Sequence, residues 1–216
     1  MPSASNSDCV PTGSRNRSRP EFKLLLDQGF PKPPGFAVNA VDKTVKVVHL
    51  HDFDRALAEQ PTPDWMLYLL AAEGGFNALV TRDKSQLEQL VEMYTLSRLQ
   101  GFAVITWRRS IEDPVREWGQ LLAYLPEVKK LLRSLKGGRS ILLPDPTLSE
   151  RNIYNPEDRL GTEATRRGIS NREARLEAEG EIKQWLTMIG DDPHRFDRLL
   201  RLRAPLNRKS RVKPPS

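Results

Sequence analysis

Two apolar runs in this chain end in aspartate: Leu24-Leu25-Leu26-Asp27 and Ala78-Leu79-Val80-Thr81-Arg82-Asp83. Runs of this length, bounded by turn residues, read as strands buried on both faces, as in a parallel sheet. Strands that alternate with helices mean an α/β fold with a parallel sheet, and right-handed crossovers follow. Ligands of such a sheet sit at the carboxyl ends of its strands. The two strand-end carboxylates can converge there, and Asp64, just before the intervening apolar helix, can join them. Three such carboxylates describe a site for a divalent metal.

The rest of the chain keeps the alternation. Residues 23–26 are a first strand. Pro31, Pro33, Pro34 and Gly35 delay any helix, so residues 36–42 form at best a short one. Residues 45–50 are a second strand and residues 77–81 a third. A loop with Pro61 and Pro63 leads into a helix from about Asp64 to Ala72, which Gly74-Gly75 stops. Leu87, Leu90, Val91, Tyr94 and Arg98 keep helical spacing up to Gly101. Residues 102–107 are a fourth strand. Asp113-Pro114 opens another helix, with Asp as N-cap and Pro at N1. Val115, Trp118, Leu121, Leu122 and Leu125 give its buried face. Pro126 should break or kink it, and Val128, Leu131, Leu132 and Leu135 extend the pattern.

Beyond Gly138 the pattern thins. Residues 137–168 have few apolar anchors and several prolines and read as a linker. Ser170-Asn171-Arg172-Glu173 is a capping box, and Ile182, Trp185, Leu186 and Ile189 mark one face of the helix it opens. Asp192-Pro193 starts a short second helix with Phe196, Leu199 and Leu200. Two amphipathic helices make no core of their own, so they dock on the α/β domain, on a second copy or on a partner. The division is therefore a disordered leader (1–20), an α/β domain (21–136), a linker (137–168), a helical extension (169–203) and a disordered basic tail (204–216). On this division a chain cut after Gly138 keeps its folded core.

Charge follows the same boundaries. The net charge of the 216 residues is +6, yet residues 21–136 hold 15 basic and 15 acidic side chains, while residues 194–213 hold eight cations and one acid. A neutral core with a cationic tail suits a polyanionic partner, and equally a merely solvated tail. The lone Cys9 permits no intrachain disulfide and lies in a polar leader without an apolar h-region, so a cytoplasmic location is the simplest. No apolar stretch approaches the roughly 18 residues of a membrane span.

Asp27, Asp64 and Asp83 read as ligands for Mg²⁺ or Mn²⁺, hard ions that take oxygen donors and keep waters for a phosphate. On spacing alone, the alternative is an Asp64 that caps its helix and two solvated strand ends. Asp52 or Asp54 offers a fourth carboxylate or a plain loop. Thr81 either hydrogen-bonds a ligand carboxylate or is an ordinary strand residue. Arg82 and Lys84 either meet a phosphate backbone or form a surface pair. His49 and His51 alternate along a strand, but no third ligand completes a zinc site, so they read as structural. Trp65, Trp107, Trp118 and Trp185 sit in apolar patterns and read as packing residues. There is no Gly-rich phosphate loop, no Gly-x-Ser-x-Gly elbow, and no evident His partner for Cys9.

The segments "LLLDQGFP" (24–31), "VVHLHDF" (47–53), "PDWMLYLLAAEGGFNALVTRDKSQL" (63–87) and "GFAVITW" (101–107), in this order, resemble the PIN-like domain superfamily. The resemblance covers residues 21–136. It is closest to the branch in which a strand-end Asp is followed by a proline and the third strand ends in Thr-Arg-Asp-Lys. It implies a three-layer α/β/α sandwich with a mostly parallel central sheet, and a metal-dependent endoribonuclease using Mg²⁺ or Mn²⁺. Asp27, Asp64 and Asp83 are the catalytic, metal-binding positions it carries over. Many relatives are toxins of bacterial toxin–antitoxin pairs, so the implied partners are an RNA substrate and an antitoxin protein; a homodimer is a further candidate. Two features depart from the pattern: Gln28 stands where the branch often has an acid, and Pro33, Pro34 and Gly35 degrade the first helix. The rival reading is a catalytically weak or inactive module of the same fold that binds a protein or nucleic acid.

Overall fold

The computed structural model describes residues 22–31, 42–83, 85, 87–107, 113–134, 137–143 and 153–201. The leader at 1–20, the tail at 204–216, nearly all of the short helix expected over 36–42, Lys84 and Leu135 lie outside these residues.

Six strands form one sheet: β1 Phe22–Leu26, β2 Val45–His49, β3 Ala78–Val80, β4 Ala103–Trp107, β5 Arg139–Leu143 and β6 Ile153–Tyr154. Their order is β2-β1-β3-β4-β5-β6. The first five are parallel, and β6 is an antiparallel edge. Successive side chains of a strand point to opposite faces. Leu25, Leu79 and Val104 enter one core, while Leu24, Leu26, Ala78, Val80, Ala103 and Ile105 enter the other. Both faces are buried, which is why these strands lack polar alternation.

Eight helices are present among the described residues: α1 Leu50–Phe53, α2 Arg55–Glu59, α3 Asp64–Glu73, α4 Leu90–Arg98, α5 Pro114–Ser134, α6 Pro156–Arg167, α7 Asn171–Met188 and α8 Asp197–Leu200. α3 and α4 cover one face, and α5 covers the other through Trp118, Leu121, Leu125, Val128 and Leu132. The result is a three-layer α/β/α arrangement with further helices outside α4. The steps from β3 to β4 and from β4 to β5 go the same way across the sheet, but α4 and α5 lie on opposite faces. These two crossovers therefore have opposite hands, so the uniform right-handedness expected from sequence does not hold. Among the described residues, α5 is the one helix that packs on the second face.

Pro126 does not end α5, which runs through it. Leu125, Val128 and Leu132, on both sides of the proline, are buried against the sheet, and this packing offsets the one backbone bond that proline forgoes. Val115, expected on the buried face, is 78% exposed.

The stretch expected as a linker, 137–168, carries β5, β6 and α6. It looked bare because α6 buries only a narrow stripe, Pro156, Leu160 and Ala164. β5 lies inside the sheet, so a cut after Gly138 would remove an internal strand. Gly138 itself sits against α4, where an added Cβ would collide with the Leu96 carbonyl oxygen.

The helical extension docks on its own domain. Residues Leu90–Ser97 of α4 are buried, because α6 and α7 close the side that the sheet leaves open. α7, opened by the Ser170/Glu173 capping box, buries Ala174, Ala178, Ile182 and Leu186. Trp185 meets Trp65 edge-on, with ring centroids 5.4 Å apart. The Tyr94 hydroxyl donates to Glu179. Ile189, expected on the apolar face, is largely exposed at the helix end. Among the described residues no helix is long and apolar enough to cross a membrane.

If α7 completes the core, Leu186→Ala should cost about 2–5 kcal/mol in urea unfolding. A chain ending at Gly168 should be recovered aggregated, because the outer side of α4 is then bare. A soluble, cooperatively folding truncation would show that α7 is dispensable.

Candidate functional site

The chain steps from β1 outward to β2 and then returns past β1 to β3. Such a reversal makes a crevice outside the carboxyl ends of the two inner strands. Asp27 follows β1 and Asp83 lies just beyond β3. The ladder continues past the strand ends, with Asp27 N donating to Val80 O at 2.9 Å and Thr81 N to Ile105 O at 3.0 Å.

Thr81 joins the two acidic ends. Its buried hydroxyl donates to Asp27 Oδ2 at 2.8 Å and accepts from Asp83 N at 3.0 Å. The other Asp27 oxygen accepts from Gln28 N at 2.7 Å. Asp83 Oδ1 accepts from the Ser85 amide at 2.8 Å and from its hydroxyl at 2.7 Å. Between Ser85 and α4, Leu87 is held with φ at 73°, a left-handed conformation that costs a non-glycine residue on the order of 1–3 kcal/mol.

Asp64 is the first residue of α3. Pro63 occupies the N-cap and makes no side-chain capping bond, so Asp64 is not the cap that spacing alone allowed. Burial first, then the charges of Glu92, Asp83 and Asp27, push its carboxyl up to about 7. The three aspartates thus share one electrostatic neighbourhood.

Glu92 is the member that sequence reasoning missed. It is 5% exposed, and its Oε2 accepts from Glu88 N at 3.0 Å and Gln89 N at 3.1 Å. Burial still pushes its carboxyl upward. The available signal was an acid inside the apolar run Leu90-Val91-Glu92-Met93-Tyr94. The buried Tyr68 hydroxyl is also pushed up, by burial and by Glu92, Asp64, Asp83 and Asp27.

Other candidates resolve into structural roles. Arg82 forks onto Glu117 of α5, with Nε at 2.9 Å and Nη2 at 2.5 Å, and is engaged there rather than facing a phosphate. Asp54 caps α2 through Ala56 N and Leu57 N, and Asp52 lies exposed in α1. His49 ends β2, but His51 belongs to α1, so the two do not alternate along one strand. His51 N donates to His49 Nδ1 at 3.3 Å, which leaves the proton on Nε2, 3.0 Å from Phe30 O. Among the described residues, no group of three or more His, Cys, Asp or Glu side chains is placed to hold a metal ion. A cavity of 200 Å³ lies elsewhere, between α4, α7 and α8.

The fold and the site define a doubly wound α/β protein with an acidic cluster at its switch point. No protein-family model, curated protein or solved structure matches the chain.

The raised Asp64 carboxyl has a measurable consequence. Its ordinary value is 3.8 and its value in the fold is about 7. Between these the folded state binds more protons than the unfolded chain, so stability falls as pH rises through the window. Asp64→Asn should raise the melting temperature at about pH 8 and leave it unchanged at about pH 3.5. Parallel melting curves for the two proteins across this range would show that Asp64 does not titrate there.

Proposed function

We propose that this chain is a PIN-like, metal-dependent endoribonuclease that hydrolyses RNA phosphodiester bonds at Asp27, Asp64 and Asp83. The observation that carries the reading is the crowding of Asp64 by Asp27, Asp83 and Glu92 at the sheet's switch point. The donor set is all oxygen, and the nearest flanking guanidinium, Arg82, is turned onto Glu117. That chemistry fits Mg²⁺ or Mn²⁺, with Asp27, Asp64 and Asp83 as the groups that would hold the ion. When bound, such an ion activates water and offsets charge at the scissile phosphate. The chain's own contributions are separate. Thr81 orients Asp27 and Ser85 orients Asp83. In the toxin form of this reading, an antitoxin protein covers the crevice.

A second reading is a non-catalytic module of the same fold that binds a protein or nucleic acid. It is favoured by the absence of a preformed metal-holding group among the described residues and by Gln28, exposed beside Asp27.

The test is cleavage of single-stranded RNA with Mn²⁺. Asp83→Asn should lower the rate on the order of 100-fold or more with an unchanged circular dichroism spectrum. Equal rates for both proteins over a mock-purified control would rule out this site and favour the second reading.

A further inference from the structure

Two consecutive residues in the first turns of α5 grip the two loops that carry Asp27 and Asp83. Glu117, 2% exposed, receives the forked guanidinium of Arg82, the residue before Asp83. Trp118, 5% exposed, donates from Nε1 to Pro31 O at 3.2 Å and packs edge-on against Phe30, with centroids 5.3 Å apart. Phe30 stacks in turn on Trp107 at the end of β4, at 5.2 Å. Its amide donates to Asp27 O at 3.0 Å, which closes the turn after Asp27. Each acidic loop is therefore tied on one side to Thr81 and on the other to α5.

A plain core would not need this arrangement. A buried carboxylate is costly unless paired, and an apolar residue at position 117 would continue the α5 stripe formed by Trp118, Leu121 and Leu125. The Glu117 carboxylate serves instead to hold one guanidinium in a fixed direction, since a fork on a carboxylate restricts both position and plane. From these contacts we propose that Glu117, Arg82 and Trp118 are positioning residues that set the separation of Asp27 and Asp83. This rests on the metal-site reading above. Groups hydrogen-bonded to metal ligands typically contribute about 10- to 100-fold to metal affinity; Glu117, Arg82 and Trp118 act one step behind the carboxylates, through the loops that carry them, so the lower end applies.

The test is Mn²⁺-dependent stabilisation of the full chain, read as the metal concentration giving half of the melting-temperature shift. The double variant Arg82→Met with Glu117→Met removes both charges and leaves neither stranded, so its melting temperature in EDTA should stay close to that of wild type. Its half-saturating Mn²⁺ concentration should rise by about 10-fold. Wild-type half-saturation in this variant overturns the proposal and leaves the metal site standing. Trp118→Phe, which keeps the ring packing and removes the Nε1 donor, provides the second measurement and decides the matter if the double variant does not fold. It too should weaken Mn²⁺ binding, and unchanged half-saturation counts against the brace. A wild-type chain with no Mn²⁺ response overturns both the brace and the metal-site reading.

Discussion

Burying both faces of β1, β3 and β4 requires helices on each side, and most of the architecture follows from that demand. Leu25, Leu79 and Val104 need α3 and α4; Leu24, Leu26, Val80 and Ile105 need α5. α4 is itself buried nearly all round and creates a second demand, which α6 and α7 meet. The C-terminal helices are therefore part of the folded unit, not an arm attached to it. Because the chain steps outward to β2 before returning to β3, Asp27 and Asp83 end on neighbouring strands.

The same burial governs the electrostatics. Asp64 and Glu92 open α3 and α4, which lie on one face of the sheet, and Asp27 and Asp83 reach the crevice from the strand ends. Bringing them together in a partly dry environment favours the protonated form, so the Asp64 carboxyl rises to about 7. Of the two cations that flank Asp83 in sequence, Arg82 is drawn away by a carboxylate buried deeper than itself. Among the described residues the cluster is acidic, which is the property the nuclease reading uses.

Neighbouring layers are also coupled through the site elements. Trp65, next to Asp64, packs on Trp185 of α7, and Tyr94, two residues after Glu92, bonds Glu179. On the opposite face, Glu117 and Trp118 hold the two acidic loops. Each acidic side chain thus stands on an element gripped from behind by packing or a hydrogen bond.

Local pattern alone determined β1 to β4, the helices α3 to α5 and α7, and the three aspartates at their ends. Apolar runs, caps and breakers are short-range signals, and residues such as Asp113-Pro114 and Ser170/Glu173 state them within a few positions. The sequence pattern did not reveal β5, β6 and α6: β6 is an edge strand and α6 a one-stripe helix, which bury too few residues to stand out, and β5, although internal, opens on the polar pair Arg139-Ser140. It also pointed to Val115 as buried and to Pro126 as a break. Only the tertiary structure decided that Glu92 joins the acidic cluster, that Arg82 turns to Glu117, and that His51 leaves the strand of His49. These outcomes depend on partners far apart in the chain, such as Arg82 and Glu117 or Trp118 and Pro31. Burial and charge pairing act through space, so no local run of residues encodes them.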